Sequence, residues 1–151
     1  MEKILLDYKN ILDYAEDVIE YLFVDRVEVE IGERACGTKH ASLQDWYFKI
    51  HFPGDPMMPG VFVMEAVMQT GLFIISTIPE KQHVKFVFRE CSKVKLFRSV
   101  RPGDVLYTDV MLESYKRGVA RFKGKAYVND ELACNMDFTM VAPQELPQIK
   151  K

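Results

Sequence analysis

Three residues suited to chemistry lie close together along the chain: His51, Gly60 and Glu65. Glu65 stands inside the longest apolar run, residues 61–75, where burying an ionised carboxylate without partners costs several kcal/mol. His51 comes just before a loop, and Gly60 follows that loop, where the start of a helix leaves a backbone N–H unpaired. A base, an acid and an N–H donor for a carbonyl oxygen are the groups that elimination of water beta to a thioester requires.

The same residues also have a structural interpretation. Gln69 follows Glu65 by four positions, so both lie on one helical face and form a satisfied polar pair if they hydrogen-bond. A lone histidine before a loop is more often structural or exposed than catalytic. Spacing alone leaves both interpretations open. His40 and His83 stand in strand-like or exposed segments without a matching motif, and we interpret them as structural.

A buried helix must position Glu65. The run VFVMEAVMQTGLFII, residues 61–75, is shorter than the roughly 20 residues of a membrane span. Pro59 suits the first helical position, where its missing N–H costs nothing. The segment before it, FPGDPMMPG, holds three prolines and two glycines in nine residues and predicts an ordered irregular loop.

Strand-like segments surround this helix in the sequence. The pattern predicts two strands before it and, after Pro79, four strands in an antiparallel meander, over residues 23–31, 34–43, 83–97, 105–115, 119–128 and 131–141. An antiparallel sheet wrapped around the apolar helix buries it best, which predicts an α+β fold. Apolar residues at three and four residue steps over 4–22 predict an additional N-terminal helical segment.

Composition favours one soluble globular domain over residues 1–151. The chain is 48% hydrophobic and 28% charged, and it contains no linker or repeat. The three cysteines, Cys36, Cys91 and Cys134, form no CxxC pair, which argues against a zinc or redox site and favours a reduced compartment. Acidic residues thread the N-terminal apolar pattern, unlike a signal or transit peptide. We therefore predict a cytoplasmic location.

The charge distribution is asymmetric. Residues 1–80 carry a formal charge of about -8, and residues 81–151 about +6. The cations of the second half are scattered through strand-like segments without a nucleic-acid motif, which argues against a nucleic-acid partner. The pattern favours an acidic protein partner instead.

The segment HFPGDPMMPGVFVMEAVMQTG, residues 51–71, resembles a family signature, HFPGxPxMPGxxxxEAxxQ. It is the signature of the bacterial 3-hydroxyacyl-[acyl carrier protein] dehydratases of the FabZ/FabA family. Further matches follow in the family's order and spacing at residues 24–27 (VDRV), 94–106 (VKLFRSVRPGDVL) and 122–128 (FKGKAYV). The resemblance implies a hot dog fold, a sheet wrapped around one long helix. It also implies dehydration of a (3R)-3-hydroxyacyl-[acyl carrier protein] to the trans-2-enoyl form, in fatty acid or related acyl-chain biosynthesis.

The resemblance also assigns roles to residues. It implies that His51 is the catalytic histidine, Glu65 the catalytic carboxylate and Gly60 the amide that binds the thioester carbonyl. In the family two subunits pair their sheets, and the histidine of one chain faces the carboxylate of the other beside an apolar acyl tunnel. Candidate substrate-binding residues are Gln69, Phe52 and Met64, with Phe62, Met68 and Phe73 as further candidates. An aromatic and methionine stripe on a buried helix is, however, more often plain core.

The partner implied by the resemblance is an acyl carrier protein, which presents the substrate on its phosphopantetheine arm. Lys95, Arg98 and Arg101 form the candidate docking patch, although a solvated strand and turn explains them equally well. The resemblance implies no cofactor, and the sequence contains no metal-binding cluster. We expect a homodimer, with no membrane span.

Some positions depart from the family pattern. Ile50 replaces the glycine that usually precedes the histidine. Glu65 is typical of the branch that only dehydrates, whereas DWYF at residues 45–48 and the DPxMPG stretch at 55–60 resemble the branch that also isomerises the double bond. We predict dehydration, and the sequence leaves isomerisation open. Alternative functions are another hot dog enzyme, such as an acyl thioesterase or an enoyl-CoA hydratase, and a non-catalytic acyl-binding subunit of a synthase.

Overall fold

A seven-stranded antiparallel sheet packs around one long helix. The computed structural model describes residues 2–148, except the side chains of residues 16, 17 and 19. Helix α1 spans Gly60–Ser76, and the strands are β1 (Lys3–Leu6), β2 (Arg26–Glu30), β3 (Arg34–His40), β4 (Val87–Leu96), β5 (Val105–Lys116), β6 (Val119–Val128) and β7 (Glu131–Val141). Their order in the sheet is β1-β2-β3-β5-β6-β7-β4, and all neighbours run antiparallel.

Helix α1 lies unusually close to the sheet because glycines stand where the two surfaces meet. A Cβ atom on Gly124 would lie 2.3 Å from Val67 Cγ1, and one on Gly71 would lie 2.9 Å from Phe138 Cζ. Register irregularities in the β4–β7, β5–β6 and β6–β7 pairs bend the sheet around the helix. The fold therefore encloses the apolar run that the sequence placed at the centre. Among residues 2–148, no helix is both long and apolar enough to cross a membrane.

The N-terminal segment differs from the predicted amphipathic helix. Residues Lys3–Leu6 form strand β1 against β2, and helical structure is limited to two short 3-10 helices, Ile11–Tyr14 and Glu16–Tyr21. Asp7 and Asn10 terminate the strand, because the Asp7 N–H donates to Asn10 Oδ1 at 2.8 Å. A short helix is costly to nucleate, whereas the free edge of β2 offers backbone hydrogen bonds to an extended strand. Residues 3–6 therefore form a strand despite their helical periodicity.

The predicted four-strand meander is wrong in the position of its first strand, β4. Strands β5, β6 and β7 do follow one another in the sheet, but β4 pairs with β7 and lies at the sheet edge. Strand β5 pairs with β3 instead. Just beyond the paired residues, the Ala41 N–H donates to the Asp104 carbonyl at 2.9 Å and the Gly103 N–H donates to the Ala41 carbonyl at 2.7 Å. Turn residues mark the strand ends in a sequence, but they do not determine which strands pair.

The close approach of α1 to the sheet gives a first prediction. Gly124→Val should overpack the contact with Val67 and lower the free energy of unfolding by about 1–3 kcal/mol. The matched control is Lys125→Val, the next position along β6, whose side chain is exposed on the other face. Urea unfolding measures both variants. Equal stability of the two would contradict the proposed steric constraint.

Candidate active site

The His51 ring is oriented by a backbone carbonyl. Its Nδ1 lies 3.0 Å from the carbonyl oxygen of Met57. A carbonyl oxygen only accepts hydrogen bonds, so Nδ1 carries the proton in the neutral ring and Nε2 keeps its lone pair. The Phe52 ring packs on the imidazole, with 3.9 Å between the ring centroids. The half-buried His51 is therefore held with Nε2 as the basic atom.

The loop after His51 closes on itself through its backbone. Phe52 and Asp55 exchange two N–H to carbonyl hydrogen bonds of 2.9 Å each, and Gly54 between them has a φ of 78°, which favours glycine. The Met57 N–H donates to the His51 carbonyl at 2.8 Å, and the Met58 N–H donates to the Val100 carbonyl at 2.8 Å. These bonds fix the Met57 carbonyl opposite the His51 ring.

Helix α1 begins directly after this loop with an unpaired amide. Pro59, predicted as the first helical residue, is instead the N-cap, because its ψ of 135° is extended, and Gly60 is the first helical residue. In the described chain the Gly60 N–H has no hydrogen-bond acceptor, and the helix dipole adds partial positive charge there. A Cβ on Gly60 would lie 2.5 Å from Leu96 Cδ1, so the Leu96 side chain packs directly over the helix start.

Glu65 lies on α1, more than one turn after Gly60, and is half-buried. Its Oε1 accepts a hydrogen bond of 3.1 Å from Gln69 Nε2. The Gln69 side chain is 2% exposed, and its amide also donates to the Tyr21 carbonyl at 3.1 Å and accepts from the Phe23 N–H at 2.8 Å. Gln69 therefore couples the carboxylate of Glu65 to the segment that leads into β2.

A single chain does not bring the three predicted catalytic groups into contact. Within residues 2–148, no hydrogen bond joins His51, Gly60 and Glu65 to one another. A cavity of about 70 Å³ lies behind Gln69, where the buried Ser76 Oγ has no hydrogen-bond partner in the described chain. This cavity is lined by the N-terminal segment, by α1 and by residues 82–86 after it, and it does not reach the three groups.

The predicted substrate-binding residues occupy different environments. Phe52 is about half exposed beside His51, and Met64 is partly buried against the core. The Gln69 amide is engaged by protein partners, as described above. Of the further candidates, Phe62 stacks on Phe23 at 4.9 Å, whereas Met68 and Phe73 lie in the core. Substrate contacts by these residues remain predictions.

Tyr47 supports the aromatic packing at the start of α1. Its ring lies 5.4 Å from that of Phe62, and its hydroxyl donates to Asp45 Oδ2 at 3.0 Å. Burial, reinforced by the Asp45 carboxylate, raises the pKa of Tyr47 far above its usual value. The phenol therefore stays neutral and serves as packing and hydrogen-bond donor.

The three cations of the predicted docking patch differ in whether they form ion pairs within the chain. Lys95 is exposed on β4. Arg98 pairs with Glu131 at 3.3 Å and Asp104 at 3.7 Å, and Arg101 pairs with Asp55 at 2.6 Å. Two of the three cations therefore have partners in their own chain.

The sequence is similar to a known domain family and to named dehydratases. The sequence model of the FabA-like domain matches residues 19–137. The chain belongs to the FabA-like domain family. The 3-hydroxyacyl-[acyl-carrier-protein] dehydratase FabZ of Alkaliphilus metalliredigens is 41% identical over 120 residues, which are 79% of this chain and 82% of that protein. The FabZ dehydratase of Moorella thermoacetica is 40% identical over 127 residues, which are 83% and 89%.

Solved structures agree with the FabA-like fold. The dehydratase heterocomplex ApeI:P from Xenorhabdus doucetiae superposes with a TM-score of 0.68 at 16% identity, over 85% of this chain and 93% of the other. A hypothetical thioesterase with coenzyme A from Streptococcus pneumoniae superposes with a TM-score of 0.64 at 14% identity, over 89% and 98%. At these identities the two structures show the hot dog fold alone.

The sequence missed the groups that hold the candidate site in place. The Met57 carbonyl orients His51, but a backbone atom leaves no signal in residue type. The pairing of Asp55 with Arg101 joins positions 46 residues apart, and only their opposite charges hinted at it. Among residues 2–148, no cluster of three or more metal-ligating side chains occurs. The three cysteines are free thiols.

The coupling role of Gln69 gives a second prediction. Gln69→Leu leaves the buried Phe23 N–H without its acceptor and removes the bond to the Tyr21 carbonyl, so the free energy of unfolding should fall by about 1–3 kcal/mol. Gln44→Leu, the same change at an exposed position, should alter it by less than about 0.5 kcal/mol. Urea unfolding of both variants is the measurement. A Gln69→Leu protein as stable as the control would refute the coupling.

Proposed function

We propose that this chain dehydrates (3R)-3-hydroxyacyl-[acyl carrier protein] to trans-2-enoyl-[acyl carrier protein]. The observation that carries the proposal is the His51 ring, whose Nδ1 is engaged by the Met57 carbonyl so that Nε2 is the free base. The ring precedes a helix that supplies both an unpaired N–H, at Gly60, and a carboxyl group, at Glu65. Relatives named 3-hydroxyacyl-[acyl-carrier-protein] dehydratase at about 40% identity support the assignment.

The reaction needs one proton acceptor and one proton donor. His51 Nε2 removes a proton from C2, and the electrons of that C–H bond form the C2–C3 double bond. The C3–O bond breaks at the same site, and the hydroxyl leaves as water with the proton of Glu65. His51 is then protonated and Glu65 ionised, and a proton returns from one to the other through water before the next turnover.

The thioester carbonyl gains negative charge as C2 loses its proton. In the proposed mechanism the Gly60 N–H donates to this oxygen, and the positive end of the α1 dipole adds to the stabilisation. A donor that is fixed by the backbone needs no rearrangement as charge develops. This catalysis requires no metal and no cofactor beyond the phosphopantetheine arm that carries the substrate.

The active unit in this proposal is a homodimer with shared sites. Strand β4 lies at the end of the sheet, and its outer edge has no neighbouring strand in the described chain. Large apolar side chains stay exposed along β4 and just beyond it, including Val87, Phe88, Leu96 and Phe97. An exposed apolar edge of this kind is a template for pairing with another chain. In the proposed dimer two β4 strands pair, and the resemblance to the FabZ/FabA family implies that His51 of one chain then faces Glu65 of the partner subunit.

The proposed partner is an acidic acyl carrier protein in the cytoplasm. Lys95 is the member of the predicted docking patch whose cation is exposed on β4. Arg98 already pairs with two carboxylates of its own chain, so its contribution to docking would require exchange of partners. Incubation with 3-hydroxyacyl carrier proteins of several chain lengths, followed by mass spectrometry, tests the proposed reaction. A thioesterase would release free thiol, whereas a dehydratase forms an enoyl thioester without it.

The third prediction concerns the acid and the base. His51→Ala and Glu65→Gln should each lower the dehydration rate at least about a hundredfold, the usual scale for such groups, while the fold is retained. Enoyl absorbance measures the rate, and circular dichroism checks the fold. Near-normal turnover by a folded variant would remove that residue from the mechanism.

The fourth prediction tests whether the site is shared. His51→Ala and Glu65→Ala chains are unfolded together and refolded, so that random pairing gives about half heterodimers. In a shared arrangement each heterodimer has one intact site and one doubly damaged site. About a quarter of all sites should then be active, far above either variant alone.

The control for this mixing experiment is each variant refolded by itself. Native mass spectrometry establishes that heterodimers have formed. If each chain supplied both groups to its own site, every site would keep one lesion. Absence of recovered activity in a sample with heterodimers would therefore contradict the shared site.

A further inference from the structure

Arg101 holds the loop that follows His51. Its Nη1 lies 2.6 Å from Asp55 Oδ1 and 3.0 Å from the carbonyl oxygen of Pro56. One guanidinium nitrogen thus donates to two successive residues of the loop. The Arg101 backbone is itself fixed, since its N–H donates to Asp104 Oδ2 at 2.9 Å across the turn before β5.

The clamped residues stand directly before the group that orients the catalytic ring. Met57 follows Pro56, and its carbonyl accepts from His51 Nδ1. A second tie lies beside the first, because the Met58 N–H donates to the carbonyl of Val100, the residue before Arg101. Residues 100 and 101 therefore brace the loop on both sides of Met57.

We propose that Arg101 is a positioning residue for His51 and not primarily a docking residue. The guanidinium holds Asp55 and Pro56 so that the Met57 carbonyl stays opposite Nδ1. His51 is thereby kept as the Nδ1–H tautomer with Nε2 directed to the substrate. The consequence for catalysis rests on the proposed dehydratase function, whereas the effect on the His51 ring does not.

The Arg101–Asp55 ion pair is exposed, so its loss should change catalysis and not global stability. The side chains of Arg101 and Asp55 are 45% and 61% exposed, and ion pairs this accessible contribute little to global stability. Variants should therefore fold. Small displacements of a catalytic base reduce turnover strongly, so the loss is expected in kcat and not in the free energy of unfolding.

The fifth prediction separates positioning from docking. Arg101→Gln should lower kcat about tenfold on a carrier-bound substrate and equally on a short pantetheine thioester, with little change in KM. Asp55→Ala should lower kcat on both substrates by a smaller factor, because the Pro56 carbonyl still accepts from Arg101. The double variant Asp55→Ala/Arg101→Gln should have the same kcat as Arg101→Gln, because both changes break the same ion pair. Arg101→Lys should recover part of the loss.

Docking gives a different pattern in the same assay. A docking role raises KM for the carrier-bound substrate alone, leaves kcat unchanged and makes Asp55→Ala harmless, since that change removes a negative charge. The matched control is Arg121→Gln, an exposed arginine on β6, which should match the wild type. A docking pattern, or normal kinetics of Arg101→Gln, would overturn the proposal.

A spectroscopic measurement tests the ring independently of activity. The chain has three histidines, so ¹⁵N spectra of the imidazoles are assigned with a His51→Gln variant. At about pH 8.5, where an ordinary imidazole is neutral, wild-type His51 should be the Nδ1–H tautomer, and Arg101→Gln should show a mixture. An unchanged tautomer in Arg101→Gln would overturn the proposal. If the wild type has no dehydratase activity but both proteins show the expected spectra, the proposed function is refuted and the role of Arg101 in orienting His51 stands.

Discussion

Helix α1 is apolar around most of its circumference, and the remainder of the chain is arranged to enclose it. Enclosure requires a curved sheet and a short distance between helix and sheet. Gly71 on the helix and Gly124 on β6 provide that distance, because a Cβ at either position would meet a neighbour at less than 3.0 Å. Packing at this density leaves little freedom for the helix to shift or rotate. The carboxylate on α1 is consequently placed by the core.

The polar groups within this apolar environment are connected and not isolated. Gln69 satisfies the Phe23 N–H, the Tyr21 carbonyl and one oxygen of Glu65 with a single amide. Thr70 and Thr108 form a second buried link, 2.6 Å apart, between α1 and β5. A buried polar group without such a partner would cost more than its hydrogen bond gains. The satisfied network therefore restricts α1 to one rotation about its axis and holds Glu65 there.

The histidine is placed by different means. The His51 N–H donates to the carbonyl of the buried Tyr47 at 3.0 Å, whereas the ring is oriented by the backbone of its own loop, which residues 100 and 101 brace. The two proposed catalytic groups thus belong to differently supported parts of the fold, Glu65 held by packing of α1 and the His51 ring by hydrogen bonds of its loop. In a homodimer this division is useful, because loop and helix can each meet the other subunit without rearrangement of the core.

The sequence by itself determined the family and the main elements of the fold. The apolar run of residues 61–75 predicted α1, the alternating segments predicted β2 to β7, and the motif around His51 and Glu65 predicted the family. These features are local: periodicity and residue type within about 20 positions specify them.

Tertiary structure alone decided the pairings. Residues 4–22 have a helical periodicity, yet β1 forms because the edge of β2 was available to it. Strand β4 pairs with β7 at the sheet edge, although its neighbour in sequence is β5. The orientation of His51 depends on the carbonyl of Met57, and Arg101 reaches Asp55 across 46 positions. Backbone groups are the same at every residue and charges act across sequence distance, so no local pattern specifies which of these partners will meet.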